Sequence, residues 1–158
     1  MQARVLLFTL LLIAPLGARA DDLIVLLQQR NCPDCRLADA DLVHADLRDA
    51  DLQRAQLQRA NLGQARLDGA DLRGSNLQFT NLHGASLRGA DLRGSTLYGT
   101  DLRQADLSGA QLDDGALAQA HWQGARGISP GGRSHAALHN TGVTAAENGQ
   151  WKRAEALF

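Results

Sequence analysis

Leucine returns at every fifth residue from Leu37 to Leu117, seventeen times without a break, and Trp122 takes the next place in the register. Two residues before each stands a small side chain: alanine, except for Cys35, Ser75, Thr80, Ser95, Thr100 and Gly115. The other three positions carry mainly Asp, Asn, Arg, Gln and Gly. An interval of five is neither the helical nor the strand period, so the repeat must be one unit of a larger coil.

Alternation sets residues i and i−2 on the same side of an extended segment. If the chain then turns a corner, four such segments close a square coil of about twenty residues, with successive coils stacked at a strand spacing of ~4.8 Å. Every leucine and every small residue then points inward. Four leucines to a layer leave room for little beyond Ala, Ser or Thr beside them. The chain carries a check on the square. Residues 71–80, DLRGSNLQFT, and 91–100, DLRGSTLYGT, agree at seven of ten positions, although a local duplication would give the same match. Ser75 would lie beside Ser95 and Thr80 beside Thr100, with hydrogen bonds shared along the stack.

The runs ADLRD, ANLGQ, ADLRG and ADLSG carry a resemblance to the pentapeptide repeat proteins, whose pattern is A-(D/N)-L-x-x. It covers Cys35 to about Gly124. The resemblance implies an all-β solenoid, a right-handed quadrilateral β-helix of about four to five coils over residues 35–124, roughly 20 Å long at the strand spacing. It also brings in a role known within the family, in which an acidic β-helix mimics DNA and occupies a topoisomerase.

A stacked coil exposes unpaired backbone at both ends, so its terminal units should be atypical. Residues 21–34 open with DDLIVLLQQR, which predicts a short helical cap; a lead-in strand is the alternative. After Trp122 the pattern dissolves into a Gly/Pro linker, residues 125–134. Residues 135–158 resemble a truncated tetratricopeptide motif, with Asn140, Gly142, Gly149, Trp151, Ala154 and Phe158 in the places that motif favours. That predicts a helical tail packed on the last coil through Trp151, Leu157 and Phe158, since one such unit cannot bury its own apolar face. An unstructured tail is the alternative.

The remaining features narrow the function. Residues 1–20 combine Arg4, an apolar run from Val5 to Leu16, and Ala18-Arg19-Ala20, the form of a secretory signal cut after Ala20. The run is too short to span a bilayer, which takes about 20 residues; an uncleaved anchor is the alternative. The expected location is outside the cytoplasm, in the periplasm if the source is Gram-negative. Cleavage removes Arg4 and Arg19, leaving 14 basic residues against 17 acidic ones and a net charge of −3. That balance supplies no basic footprint for nucleic acid.

Cys32-Pro33-Asp34-Cys35 is a C-x-x-C motif with both cysteines at inward positions of the five-residue frame. In an exported chain it reads as a disulfide locking cap to coil; an exposed redox pair and a metal site are the rivals. Arg36 in place of histidine removes ordinary haem attachment. His44 and His83 fall at outward positions about two coils apart, and His135 and His139 stand four apart in the tail; neither pair has a third ligand. No catalytic, cofactor or metal site is expected. Glycines such as Gly69, Gly74, Gly84, Gly89, Gly94 and Gly99 fall at corners.

Two surface features are candidate contacts. Asp51, Asp71 and Asp91 should stack into a ladder beside Gln53, Arg73 and Arg93. This is either a charged docking strip or a local arrangement in which each carboxylate serves its own backbone and Arg neutralises it. Phe79 and Tyr98, outward on the adjacent side, should pack on each other or mark a contact patch. The chain thus reads as a non-enzymatic exported scaffold or binding module for an unidentified protein partner. A DNA mimic and a redox protein using Cys32 and Cys35 are the alternatives.

Overall fold

The computed structural model describes residues 20–128. The signal segment, most of the linker, the tetratricopeptide-like tail, His135 and His139 lie outside the described residues. Fifteen parallel bridges run from Asn31 to Arg126, and every one joins residue i to residue i+20. That fixed offset is the twenty-residue square coil. Four bridge columns define four sides. The first holds Asn31, Asp51, Asp71, Asp91 and Gln111; the second Arg36, Gln56, Asn76 and Thr96. The third holds Asp41, Asn61, Asn81, Asp101 and His121; the fourth Asp46, Arg66, Ser86, Asp106 and Arg126. Each side is one bridge residue wide, so among the described residues the stack is built from isolated bridges rather than extended strands.

An account of the amides explains why the unit is five. In residues 81–85, Asn81 N donates to Ala60 O (3.0 Å), Leu82 N to Asp101 O (2.7 Å) and Gly84 N to Arg103 O (2.9 Å). Ala85 N closes a turn onto Leu82 O at 3.0 Å. One amide is left, that of His83, and the Asn81 side chain takes it at 2.9 Å. Three amides join neighbouring coils, one makes the corner, and in the repeats led by Asp or Asn, this one among them, the last is satisfied by that side chain. No donor in this repeat is orphaned.

The corner is a four-residue turn whose second central residue alone has positive φ, from 54° at Arg54 to 73° at Gly109 and Gly124. This is the geometry of a type II turn, which favours glycine there. The column leucines from Leu37 to Leu107 are at most 3% exposed, and the alanines two residues before them fill the space between.

Helix α1, Ala20–Gln29, forms the predicted N-terminal cap, with Asp21 and Asp22 in its first turn favouring the positive end of the helix dipole. It buries Leu26 completely and packs Leu23 and Val25 against the same core. Asp22 Oδ2 accepts the Arg36 amide at 2.8 Å, which ties the cap to the first coil.

The structure corrects two expectations. The leucine register does not run evenly to Trp122. Residues Ala116–Gln119 form a 3-10 helix, Leu112 is only partly buried, and bridging resumes at His121. Gly115 sits in the left-handed region at φ 79°, and Ala116 is the one residue at this place in the frame without a polar side chain. Here Ala118 N donates to Gly115 O at 2.9 Å. Nor do the inward hydroxyls bond to one another. Ser75 donates to Leu72 O, and Thr80 and Thr100 to Leu57 O and Leu77 O, each at 2.7 Å; Ser95 donates to Leu92 O at 2.6 Å. The leucine carbonyl at each corner has a spare lone pair, and a hydroxyl reaches it more easily than another hydroxyl.

Candidate contact surface

The first side brings together Asp51, Asp71, Asp91, Arg73 and Arg93. Each aspartate caps the amide two residues on: Gln53 N at 3.1 Å, Arg73 N at 3.2 Å and Arg93 N at 3.1 Å. Arg73 and Arg93 then fold back onto the same carboxylates, at 2.6 Å and 2.5 Å, and Arg73 Nε also lies 3.8 Å from Asp91. The bonded guanidinium holds both carboxyls below the usual carboxylate range, against a smaller opposing effect of burial. Arg103 does the same to Asp101 on the third side. Of the two arrangements open to this strip, the structure takes the local one. The charges of Asp71 and Asp91 are met by their own arginines, while Asp51, beside Gln53, takes only the Gln53 amide.

Asp34–Arg54 and Asp39–Arg59 are ion pairs running up the stack, at 2.7 and 2.6 Å. Asp46 lies between Arg30 and Arg48, at 2.9 and 2.7 Å, and its pKa falls well below the ordinary value, chiefly through the Arg48 hydrogen bond.

Phe79 and Tyr98 stack edge to face, 5.3 Å between centroids at 90°. They remain 56% and 49% exposed. Phe79 also lies against the next corner: a Cβ on Gly99 would stand 2.6 Å from its Cδ1. The Cys32 and Cys35 sulfurs lie at bonding distance, with Cα atoms 5.5 Å apart, in the normal range for a disulfide. Cys32 is buried at 2% exposure and Cys35 packs partly into the core, so both take the inward positions of the frame. His44 and His83 both occupy third-side corners, and among the described residues no group of three or more potential ligands could hold a metal.

Reading the repeat as one pattern missed what differs between sides. A shallow outer groove of about 380 Å³ is lined by Gln64, His83, Gly84, Gln104, Gly124 and Arg126. On the second side, residues 76–80 and 96–100 carry no charge. Both were open to discovery by writing the sequence out in columns of twenty.

A filled, four-sided parallel solenoid that works from its outside is the class these features define. The pentapeptide repeats family matches in eight copies over residues 31–69, 55–94 and 85–124, and the chain belongs to that family, whose fold is the right-handed quadrilateral β-helix. Its members are generally structural or binding proteins rather than enzymes. The chain is similar to the crystal structure of alr5209, a pentapeptide repeat protein from Nostoc Pcc 7120. Identity is 37% over 62% of this chain and 78% of that one, with a TM-score of 0.52. It also resembles HetL, a pentapeptide repeat protein involved in heterocyst differentiation regulation in Nostoc sp. strain PCC 7120. There identity is 34% over 60% of this chain and 46% of HetL, with a TM-score of 0.48. No curated protein matches the chain. Among the described residues no helix is long and apolar enough to cross a membrane.

Proposed function

We propose that the chain is a non-enzymatic, exported scaffold that meets a protein partner through the sides of its prism. The filled interior carries this reading. Leucine and alanine occupy the axis, so the described coils offer a ligand only their outer faces, and among the described residues chemistry that needs a water-excluded pocket has no place to occur. Export is supported by the form of residues 1–20 and by a cysteine pair at bonding distance, which suits an oxidising compartment. Cleavage after Ala20 would leave α1 with both its acidic first-turn residues. The DNA-mimic alternative needs a run of uncompensated carboxylates, and here Asp71, Asp91 and Asp101 each carry an arginine.

Cell fractionation with N-terminal sequencing tests the location: a mature chain beginning at Asp21 in the exported fraction is expected. Cross-linking with the tagged mature chain as bait should recover a stoichiometric protein. A cytoplasmic full-length chain that protects gyrase in a supercoiling assay would replace this reading with the DNA mimic.

A further inference from the structure

The outer groove of about 380 Å³ gathers polar side chains that the fold does not use. Along the third-side corner, long and absent side chains alternate up the stack: Gln64, Gly84, Gln104 and Gly124, all at positive φ. Gly84 and Gly124 leave room at alternate coils, and the lining is completed by His83 on the third side and Arg126 on the fourth. The volume lies toward the lower end of the range in which small ligands bind, about 300–1,000 Å³.

The hydrogen bonds that the fold makes with these residues run through their backbones. Gly84 N donates to Arg103 O (2.9 Å), Gln104 N to Gln123 O (3.1 Å) and Arg126 N to Ala105 O (2.8 Å). Among the described residues, the side chains of Gln64, His83, Gln104 and Arg126 take no hydrogen bond and no ion pair. That sets Arg126 apart from Arg73, Arg88, Arg93 and Arg103, each of which holds a carboxylate. Arg36 and Arg66 are likewise without an ion pair among the described residues, but they lie outside this groove. No carboxylate lines it. Asp101 and Asp106, close enough to feel His83 and Arg126, are engaged elsewhere. Arg103 holds Asp101 at 2.6 Å, while the Ser108 amide and Arg88 hold Asp106 at 3.0 and 3.4 Å.

We infer that this groove binds a small oxyanion, the phosphate or carboxylate of a compact solute. The planar fork of a guanidinium matches either group with two parallel hydrogen bonds. Gln64, Gln104 and His83 can each donate a further N–H beside it. A neutral solute would leave the Arg126 charge unanswered, and a cation would be repelled by it. An extended polyanion is the poorer fit, because it is held by a row of cations and Arg126 is the one fixed positive charge in the lining. The inference is independent of the protein-scaffold reading: the sides can meet a protein whether or not this groove takes an anion.

The mature full-length chain, labelled with heavy nitrogen for amide NMR, is titrated with inorganic phosphate, glycerol phosphate and succinate, with ionic strength held by sodium chloride. Saturable shifts of the Gly84, Gln104 and Gly124 amides are expected below about 10 mM for at least one of the three. A response to the phosphates alone assigns the ligand's group as phosphate, and a response to succinate alone as carboxylate. Arg126→Gln should weaken binding at least about tenfold with the melting curve unchanged, since Arg126 has no ion pair to lose among the described residues. Arg126→Lys, which keeps the charge without the fork, should weaken it less. Arg36→Gln, in the first coil of the second side, should leave binding intact. No saturable shift with any of the three anions overturns the inference. So does a shift that chloride alone reproduces, or binding that survives Arg126→Gln.

Discussion

Replacing Asn81 separates the parts of the amide account. Its Oδ1 takes the His83 amide at 2.9 Å, and its Nδ2 donates to Asn61 Oδ1 at 2.8 Å, so it both closes its own repeat and links two coils. Alanine removes both bonds at a half-buried site, and the net value of each is about 1 kcal/mol. Asn81→Ala should therefore cost about 2 kcal/mol. Aspartate keeps the acceptor for His83 but loses the donor, and sets a carboxylate against Asp101 in the bridge above. Asn81→Asp should be destabilised less than alanine at neutral pH, and should recover part of its loss on mild acidification as the added carboxyl protonates. Urea unfolding followed by circular dichroism reads both, with an unchanged m-value showing that the same surface is exposed. If Asn81→Ala lies within about 0.3 kcal/mol of the parent, the side chain is not closing the repeat, and the five-residue unit has a cause other than the satisfaction of its amides.

Other perturbations probe other layers. Leu82→Asp puts a lone charge into a fully buried site and should abolish folding, while Ala90→Phe should cost at least ~3 kcal/mol by overpacking; an unchanged melting curve for either would contradict the inward assignment. Asp71, Asp91 and Asp101 have pKa values below the usual range, first through their arginine hydrogen bonds. A carboxyl depressed on folding contributes stability that is fully present above its unfolded value of about 3.9 and is lost as pH falls through the folded one. Acid melts should therefore steepen below about pH 4, and Arg73→Gln with Arg93→Gln should flatten that slope; an identical slope would show these pairs to be idle. Thiol titration of the native mature protein should find no reactive sulfhydryl at Cys32 or Cys35, whereas two rapidly reacting thiols would revive the redox alternative.

The coil was legible because its cause is steric and strictly periodic: the Leu37-to-Leu107 column has one way to hide. The capping helix was legible from Asp21 and Asp22 ahead of Leu23 and Leu26. The interruption at Ala116–Gln119 was not, because Leu112 and Leu117 keep the spacing while the departure lies at Gly115 in the small column and Ala116 beside it. The hydroxyl bonds were misjudged for a related reason. Column logic placed Ser75 beside Ser95, but a corner carbonyl three residues back is the nearer acceptor. Of the contact surface, the membership of the aspartate strip and the aromatic pair could be read in advance. Whether the strip's charges were free depended on which way Arg73 and Arg93 turn, and sequence alone left both arrangements open.

The corners follow a rule that spans coils. A non-glycine residue with positive φ sends its side chain along the stack toward a neighbouring corner, so residues twenty positions apart meet there. Phe79 beneath Gly99 and Asp49 beneath Gly69 occupy the place where a Cβ would stand, whereas Gln64 beneath Gly84 and Gln104 beneath Gly124 only come into ordinary contact with it. Where two side chains do stack, Asp34 beneath Arg54 and Asp39 beneath Arg59, they are ion pairs. Arg59 beneath Phe79 is drawn the other way, onto Asp39; nothing in the structure explains His44 beneath Gln64. At Gly69 and Gly99 the side chain one coil below therefore requires glycine as much as the turn does. A substitution at Gly99 should consequently be felt first at Phe79, by displacing the ring from Tyr98, and only then as strain in its own backbone.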